Sequence, residues 1–214
     1  MFGLYPMSTN LERVSSMKLH RDLGVTQKTA WMMGQKIRQA WTGSKTLSGT
    51  VEVDETYIGG LEKNKHASKR TGAGRGATGK AAVIGAKERG GNVVARHIDN
   101  TDGETLIGFV DDHAQPGSTI YTDGSAAYQA LPNMFNGFAH ESVEHSVGEY
   151  VRGQAHTNGI ESFWSMLKRG YHLTRYVQEF AGRHNVRDLD TLAQMTMLAQ
   201  GMTGKSLTWE GLTA

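Results

Sequence analysis

The chain has no cysteine among its 214 residues. That absence excludes disulfides, thiolate zinc sites and a cysteine nucleophile, so any metal must be held by oxygen or imidazole. Nor does any stretch approach the roughly 18 uninterrupted apolar residues that span a bilayer, and Met1 to Arg13 lacks the basic start and apolar centre of a signal peptide. A cytoplasmic protein with no membrane partner is therefore expected. Net charge is scarce too. The formal +2 and a pI near 8.8 are only mildly basic and do not by themselves single out nucleic acid as the partner. What is present is the composition of an ordinary soluble globular protein, 38% hydrophobic and 21% charged, with a mean hydropathy of −0.46. The length suffices for one substantial core and a small appended module.

Residues Ser15 to Trp41 read as a helical block that pauses at Gly24. Leu19 and Leu23 share one helix; Thr26 is the N-cap of a second that carries Ala30, Met33 and Ile37 at helical spacing. This is helix-turn-helix spacing, which would put Gln27, Lys28 and Arg38 on or near a DNA-facing helix. A plain helical hairpin has the same pattern. Trp31 and Trp41 are expected in the core.

From Thr46 the periodicity changes. Gly49 to Gly60 alternates as a strand, and AAVIGAKE and NVVARHID form two more, joined through Arg89, Gly90 and Gly91. Asp102 to His113 predicts a helix with Leu106, Phe109 and Val110 on one face. A short strand follows from Ser118 to Thr122, then a small helix from Ser125 to Leu131 and an edge strand near Phe138 to Val143. Helices at His156 to Arg169 and Asp188 to Gln200 close the chain. The expected fold is α/β, a mixed sheet flanked by helices, and three consecutive leading strands fit an RNase H-like arrangement better than a doubly wound one. The expected boundaries are a helix-turn-helix segment at 1–45, a catalytic domain at 46–200 and a tail at 201–214.

Charge is uneven along the chain. Lys63, Lys65, Lys69, Arg70, Arg75 and Lys80 cluster in a Gly-rich stretch with His66, which is either a solvated loop or one that contacts phosphates. The acids are fewer but better placed. Asp54 interrupts an apolar strand and shares its face with Glu52, whereas Glu55 points the other way. Asp123 ends a strand before a glycine, where a turn former would also stand. Glu161 lies on an amphipathic helix whose buried side carries Ile160, Phe163 and Leu167, with Trp164 a further candidate for that side. Carboxylates from two strands and a helix can converge on a pair of hard divalent cations. Two such ions, about 3.5–4 Å apart, activate the attacking oxygen and stabilise the leaving one in phosphoryl transfer.

The phrases VEVDETYIGG, STIYTDGSAAY and HTNGIESFWSMLKRGYHL, in that order behind a helix-turn-helix, resemble the insertion-sequence transposases whose full proteins carry an N-terminal zinc ribbon before a DDE catalytic domain. The resemblance runs from about Ser15 to Gln200, and its most specific part is HTNGIESFWSMLKRG. It implies that Asp54 and Asp123 are the first two metal-binding carboxylates. For the third it leaves Glu161 and Asn158, three apart on one helical face; Glu161 is preferred because a carboxylate binds a divalent metal more strongly than an amide. Lys168 matches the basic residue that helps orient the DNA end, and His156 is either a further phosphate contact or an N-cap or core histidine. Mg²⁺ or Mn²⁺ as a pair of ions, double-stranded DNA as terminal repeats and target, and a homo-oligomer assembled on DNA are implied with them. The expected chemistry is metal-dependent cleavage of transposon ends followed by strand transfer. The zinc ribbon has no counterpart here, so a truncated copy or internal-start product is one expectation. A DNA-binding regulator or inactive remnant derived from a transposase and a related RNase H-like nuclease are the competing functions.

Overall fold

A computed structural model describes residues 3–10, 14–41, 45–59, 66, 80–129, 131, 137–143, 156–170 and 176–210. They divide into two compact units, one made of Met1–Gly43 with Gln178–Ala214, the other of Ser44–Val177.

The second unit is built on the alternating segments. Strands β1 (Thr50–Ile58), β2 (Ala81–Glu88), β3 (Val93–Ile98), β4 (Thr119–Asp123) and β5 (Ala139–Val143) form one sheet in the order β3-β2-β1-β4-β5. The first three run antiparallel in succession, while β4 is parallel to β1 and β5 to β4. This is the mixed sheet of the RNase H-like expectation. Period-two alternation assigns each face of β1 a different job. Val51 and Val53 join Ile84, Ala86 and Ile120 beneath helix α4 (Gly103–His113), whose Leu106, Phe109 and Val110 face them. The Asp102 side chain starts that helix by accepting the Thr105 amide at 2.8 Å. Helix α5 (Asn158–Gly170) packs against β1 and β2 with Ile160, Phe163, Trp164 and Leu167 buried. Each such side chain contributes about 1.5–3 kcal/mol on burial. Its approach depends on Gly85 of β2, where a Cβ would come within 2.6 Å of the Trp164 ring.

The first unit is helical. Helices α1 (Leu4–Thr9), α2 (Ser16–Leu23), α3 (Gln27–Arg38), α6 (Val177–Val186) and α7 (Thr191–Met202) contribute to it. The expected pair is present as α2 and α3: Ser15 caps the first, Gly24 ends it at φ 65°, and Thr26 caps the second. Met7, Leu19, Ala30, Ile37, Trp41, Val186 and Leu198 form their shared core.

Two expectations about boundaries change. The last catalytic-domain helix, α7, and the unforeseen α6 group with the N-terminal helices rather than with the sheet. Within the 201–214 segment, Gly201 and Met202 still belong to α7, and Trp209 packs edge-on against Trp31 at 5.3 Å between ring centroids. Hydrophobic periodicity overlooks α6 because what it buries includes a charge: Glu179 is fully buried. Its Oε2 accepts the Arg38 Nε–H at 2.7 Å, and its Oε1 accepts from Arg183 at 2.9 and 3.1 Å. Arg38 also donates to the Val14 carbonyl and Arg183 to that of Asn10, so the ion pairs tie α3 and α6 to the segments around them. Removing one partner strands a buried charge. Glu179→Ala is accordingly expected to lower unfolding free energy by about 3–5 kcal/mol, measured by urea denaturation followed by far-UV circular dichroism.

Candidate active site

The parallel ladder between β1 and β4 pairs Glu52 with Tyr121. Asp54 and Asp123 each stand two residues further along, which places them at the same level on neighbouring strands and on the same sheet face. That is the face α5 covers. Asp54 sits opposite Gly85 in the β1–β2 ladder, and the indole N–H of Trp164 donates to its Oδ2 at 3.0 Å. Trp164, on the buried side of the helix, thus both covers Gly85 and orients the carboxylate. Asp123 ends β4 and its Oδ1 accepts the Ser125 amide at 3.1 Å, so the turn-forming role is real and engages one of its oxygens. Glu161, in the first turn of α5, accepts the Thr157 hydroxyl at 3.1 Å.

The electrostatics link the three acids. Burial pushes the Asp54 carboxyl up to about 6, and the negative charges of Asp123 and Glu161 push the same way; the Glu55 amide and the Trp164 indole pull against them. A site residue that was passed over is Glu55. On the opposite face of β1, it accepts a hydrogen bond from the Tyr128 hydroxyl, and burial with the charges of Asp123 and Asp54 raises its carboxyl to about 7. The Tyr128 hydroxyl is in turn held above its ordinary range by burial and by Glu55. Alternation assigned Glu55 to the other face correctly, but only the fold brings Tyr128 to meet it.

The remaining candidates fall in several places. Asn158 is the first, exposed residue of α5, with its carbonyl accepting the Ser162 hydroxyl at 2.8 Å. Lys168 is exposed two turns beyond Glu161. His156 lies beside Glu52, its Nδ1 3.6 Å from the carboxylate. Gln27 and Lys28 are exposed at the start of α3, where Gln27 donates to the Ser16 hydroxyl and Lys28 lies 4.2 Å over the Trp209 ring. Arg38 departs from expectation: it is buried and consumed by Glu179, so it does not face DNA. Lys80 opens onto the first residue of β2, half-buried, while Lys63, Lys65, Lys69, Arg70 and Arg75 lie outside the described residues.

Whether the acids suit a divalent metal can be judged from their chemistry. Asp54, Asp123 and Glu161 offer hard oxygen donors, and a cation beside Asp54 would relieve the repulsion it feels from the other two. Among the described residues, no three Asp, Glu or His side chains converge as a ready-made ligand set. The fit is therefore one of donor type and charge.

An RNase H-like sheet with acids on β1, β4 and the helix that covers them defines the class already suggested by the three motifs, the DDE-type transposases of insertion sequences. The chain belongs to the family of ISXO2-like transposase domains, whose model matches residues 46–185. It is also similar to an uncharacterized protein in transposable element ISH50 of Halobacterium salinarum, 30% identical over 190 residues that cover 79% of this chain. The match spans 64% of that relative's length. Likeness to solved structures is distant. A simian T-cell lymphotropic virus intasome in complex with PP2A regulatory subunit B56 gamma is 14% identical with a TM-score of 0.37, covering 96% of this chain and 74% of that one. A pre-cleavage Mos1 transpososome is 10% identical with a TM-score of 0.28, covering 96% and 79%. A Mos1 mariner paired end complex with Mn is also 10% identical, with a TM-score of 0.28 and coverage of 91% and 76%.

The raised Asp54 carboxyl has a consequence for stability. Between about pH 4 and 6 the folded state holds a proton that the unfolded chain has released, so stability falls as pH rises through that window and stays lower above it. Asp54→Asn removes the charge while its amide oxygen still accepts from Trp164. In metal-free buffer at pH 8 the variant should be more stable than the natural chain, by up to about 3 kcal/mol at 1.36 kcal/mol per pH unit. Thermal melts from pH 3.5 to 8 should show this advantage shrinking towards zero at the acid end.

Proposed function

We propose that this chain is a metal-dependent phosphoryl transferase that cleaves transposon ends and joins them to target DNA. The observation that carries it is the electrostatic coupling of Asp54 to Asp123 and Glu161 on one face of the sheet. Asp54, Asp123 and Glu161 would hold two Mg²⁺ or Mn²⁺ ions, with Glu161 preferred to Asn158 because its charge acts on Asp54. When bound, the ions supply activation of the attacking oxygen and stabilisation of the leaving oxygen.

The chain's own residues do the positioning. Trp164 holds the Asp54 carboxylate by its indole N–H, and the Ser125 amide holds that of Asp123. Lys168, exposed two turns beyond Glu161, would meet a phosphate of the DNA end. In the first step a water oxygen bonds to phosphorus as the bond to the 3′ oxygen breaks, leaving a 3′ hydroxyl on the transposon end. In the second that hydroxyl bonds to a target phosphorus, and one target strand oxygen leaves. No covalent link to protein is required, so catalysis is positioning and charge neutralisation.

Double-stranded DNA would be engaged by the described Lys80 and by Lys63, Lys65, Lys69, Arg70 and Arg75 through the phosphate backbone, and by Gln27 and Lys28 of α3. Bringing two ends together calls for at least two copies on DNA, and the reaction would take place in the cytoplasm.

The test is cleavage and strand transfer of labelled terminal-repeat DNA in Mg²⁺ or Mn²⁺. Asp54→Asn and Asp123→Asn should each lower the cleavage rate by about a thousandfold or more while DNA binding by electrophoretic mobility shift persists, in line with the loss of a transition-state group. Glu161→Gln should match them and Asn158→Ala should not; the reverse would transfer the third position to Asn158. Binding to the repeats with no cleavage by the natural chain would instead favour a regulator descended from a transposase.

A further inference from the structure

We infer that Glu52 is a positioning residue that sets helix α5, and with it Glu161, against Asp54; this deepens the metal-site proposal and rests on it. An acid on a central strand is ordinarily there for solubility, yet Glu52 is only 2% exposed. Its Oε2 accepts the Ile160 amide at 2.9 Å, one of the first-turn N–H groups of α5 that have no partner within the helix. Its Oε1 accepts from Arg89 Nε at 3.3 Å and lies 3.6 Å from His156 Nδ1. Arg89 also donates to the His156 carbonyl at 3.3 Å, so the same cation grips the chain just before α5 begins.

The arrangement needs a residue without a side chain at Gly159, where a Cβ would stand 2.6 Å from Glu52 Oε2. Glu52 is therefore bonded to the residue next to Glu161 and is two residues from Asp54 on the same face of β1. A negative charge at a helix N-terminus is favourable, and here it also fixes the height and rotation of the helix above the sheet. Asp54 and Glu161 reach the site from different elements, and Glu52 is the side chain that joins those elements next to both.

The experiment uses the full chain and three readouts: hydrogen exchange by mass spectrometry without metal, Mn²⁺ binding by calorimetry without DNA, and DNA cleavage with metal and DNA titrated separately. Glu52→Ala should speed exchange in the peptide covering 158–164 while β2 and β3 stay protected. It should weaken Mn²⁺ binding by about 10–100-fold, the range for losing a group that orients a ligand. Cleavage should fall in kcat, with the DNA KM unchanged. Glu52→Gln, whose amide oxygen can still accept from Ile160, should keep α5 protected and recover most of the Mn²⁺ affinity. Unchanged α5 exchange in Glu52→Ala overturns the proposal, as does a freed α5 with natural Mn²⁺ affinity. If the natural chain binds no Mn²⁺ while Glu52→Ala still frees α5, the metal reading fails and the positioning role falls with it, leaving only a helix anchor. Should Glu52→Ala not fold, Gly159→Ala crowds the same oxygen and must produce the same loss of α5 protection and of Mn²⁺ affinity, and no change in it is equally fatal.

Discussion

Carboxylates in the central strand of an apolar sheet are the constraint around which the sheet-containing unit is organised. Strand β1 carries Glu52, Asp54 and Glu55 within four residues, and a buried ion without partners is among the most expensive things a fold can contain. Each is met by its own donors, and helix α5 supplies one to Glu52 and one to Asp54. Glu52 takes the amide at the start of α5 and the Arg89 guanidinium, Asp54 takes the Trp164 indole, and Glu55 takes the Tyr128 hydroxyl on the other face. Satisfying the three acids and assembling the sheet with its flanking elements are the same process. Asp54 and Glu55 remain imperfectly compensated, as their raised carboxyls record.

Helix α5 is consequently more than a lid on the sheet. Its buried stripe of Ile160, Phe163, Trp164 and Leu167 supplies the packing energy, and the candidate acid Glu161 is interleaved with that stripe. Trp164 is used twice, since its ring lies on Gly85 while its N–H reaches Asp54. That double use explains why the HTNGIESFWSMLKRG phrase is the most distinctive in the chain: apolar, aromatic, acidic and small residues are each required at a set helical interval.

The helical unit solves its own burial problem with charge. Glu179 is completely enclosed, and two arginines from different segments neutralise it. The cost is functional as well as energetic. Arg38 is withdrawn from any surface, whereas Gln27 and Lys28 stay exposed at the α3 N-terminus, next to Trp209 in the case of Lys28.

Much of this was legible in one dimension. Strand-like runs located the five described strands, helical spacing located α2, α3, α4, α5 and α7, and Thr26 marked where α3 begins, because these are local effects of backbone geometry. The motifs also carried the family. What local pattern does not contain is partnership across long separations: that Arg38 would meet Glu179, that Tyr128 would meet Glu55, or that Trp164 and Ile160 would serve Asp54 and Glu52. Helix α6 escaped notice for a related reason, since its buried face includes an acid, Glu179, that pairs with the distant Arg38 as well as with Arg183 on the same helix. The sequence by itself determined the element types, the family and the identity of the candidate acids. Only the tertiary structure decided which unit the C-terminal helices join and which acids face one another, because burial and electrostatic coupling depend on distances in space that chain order does not specify.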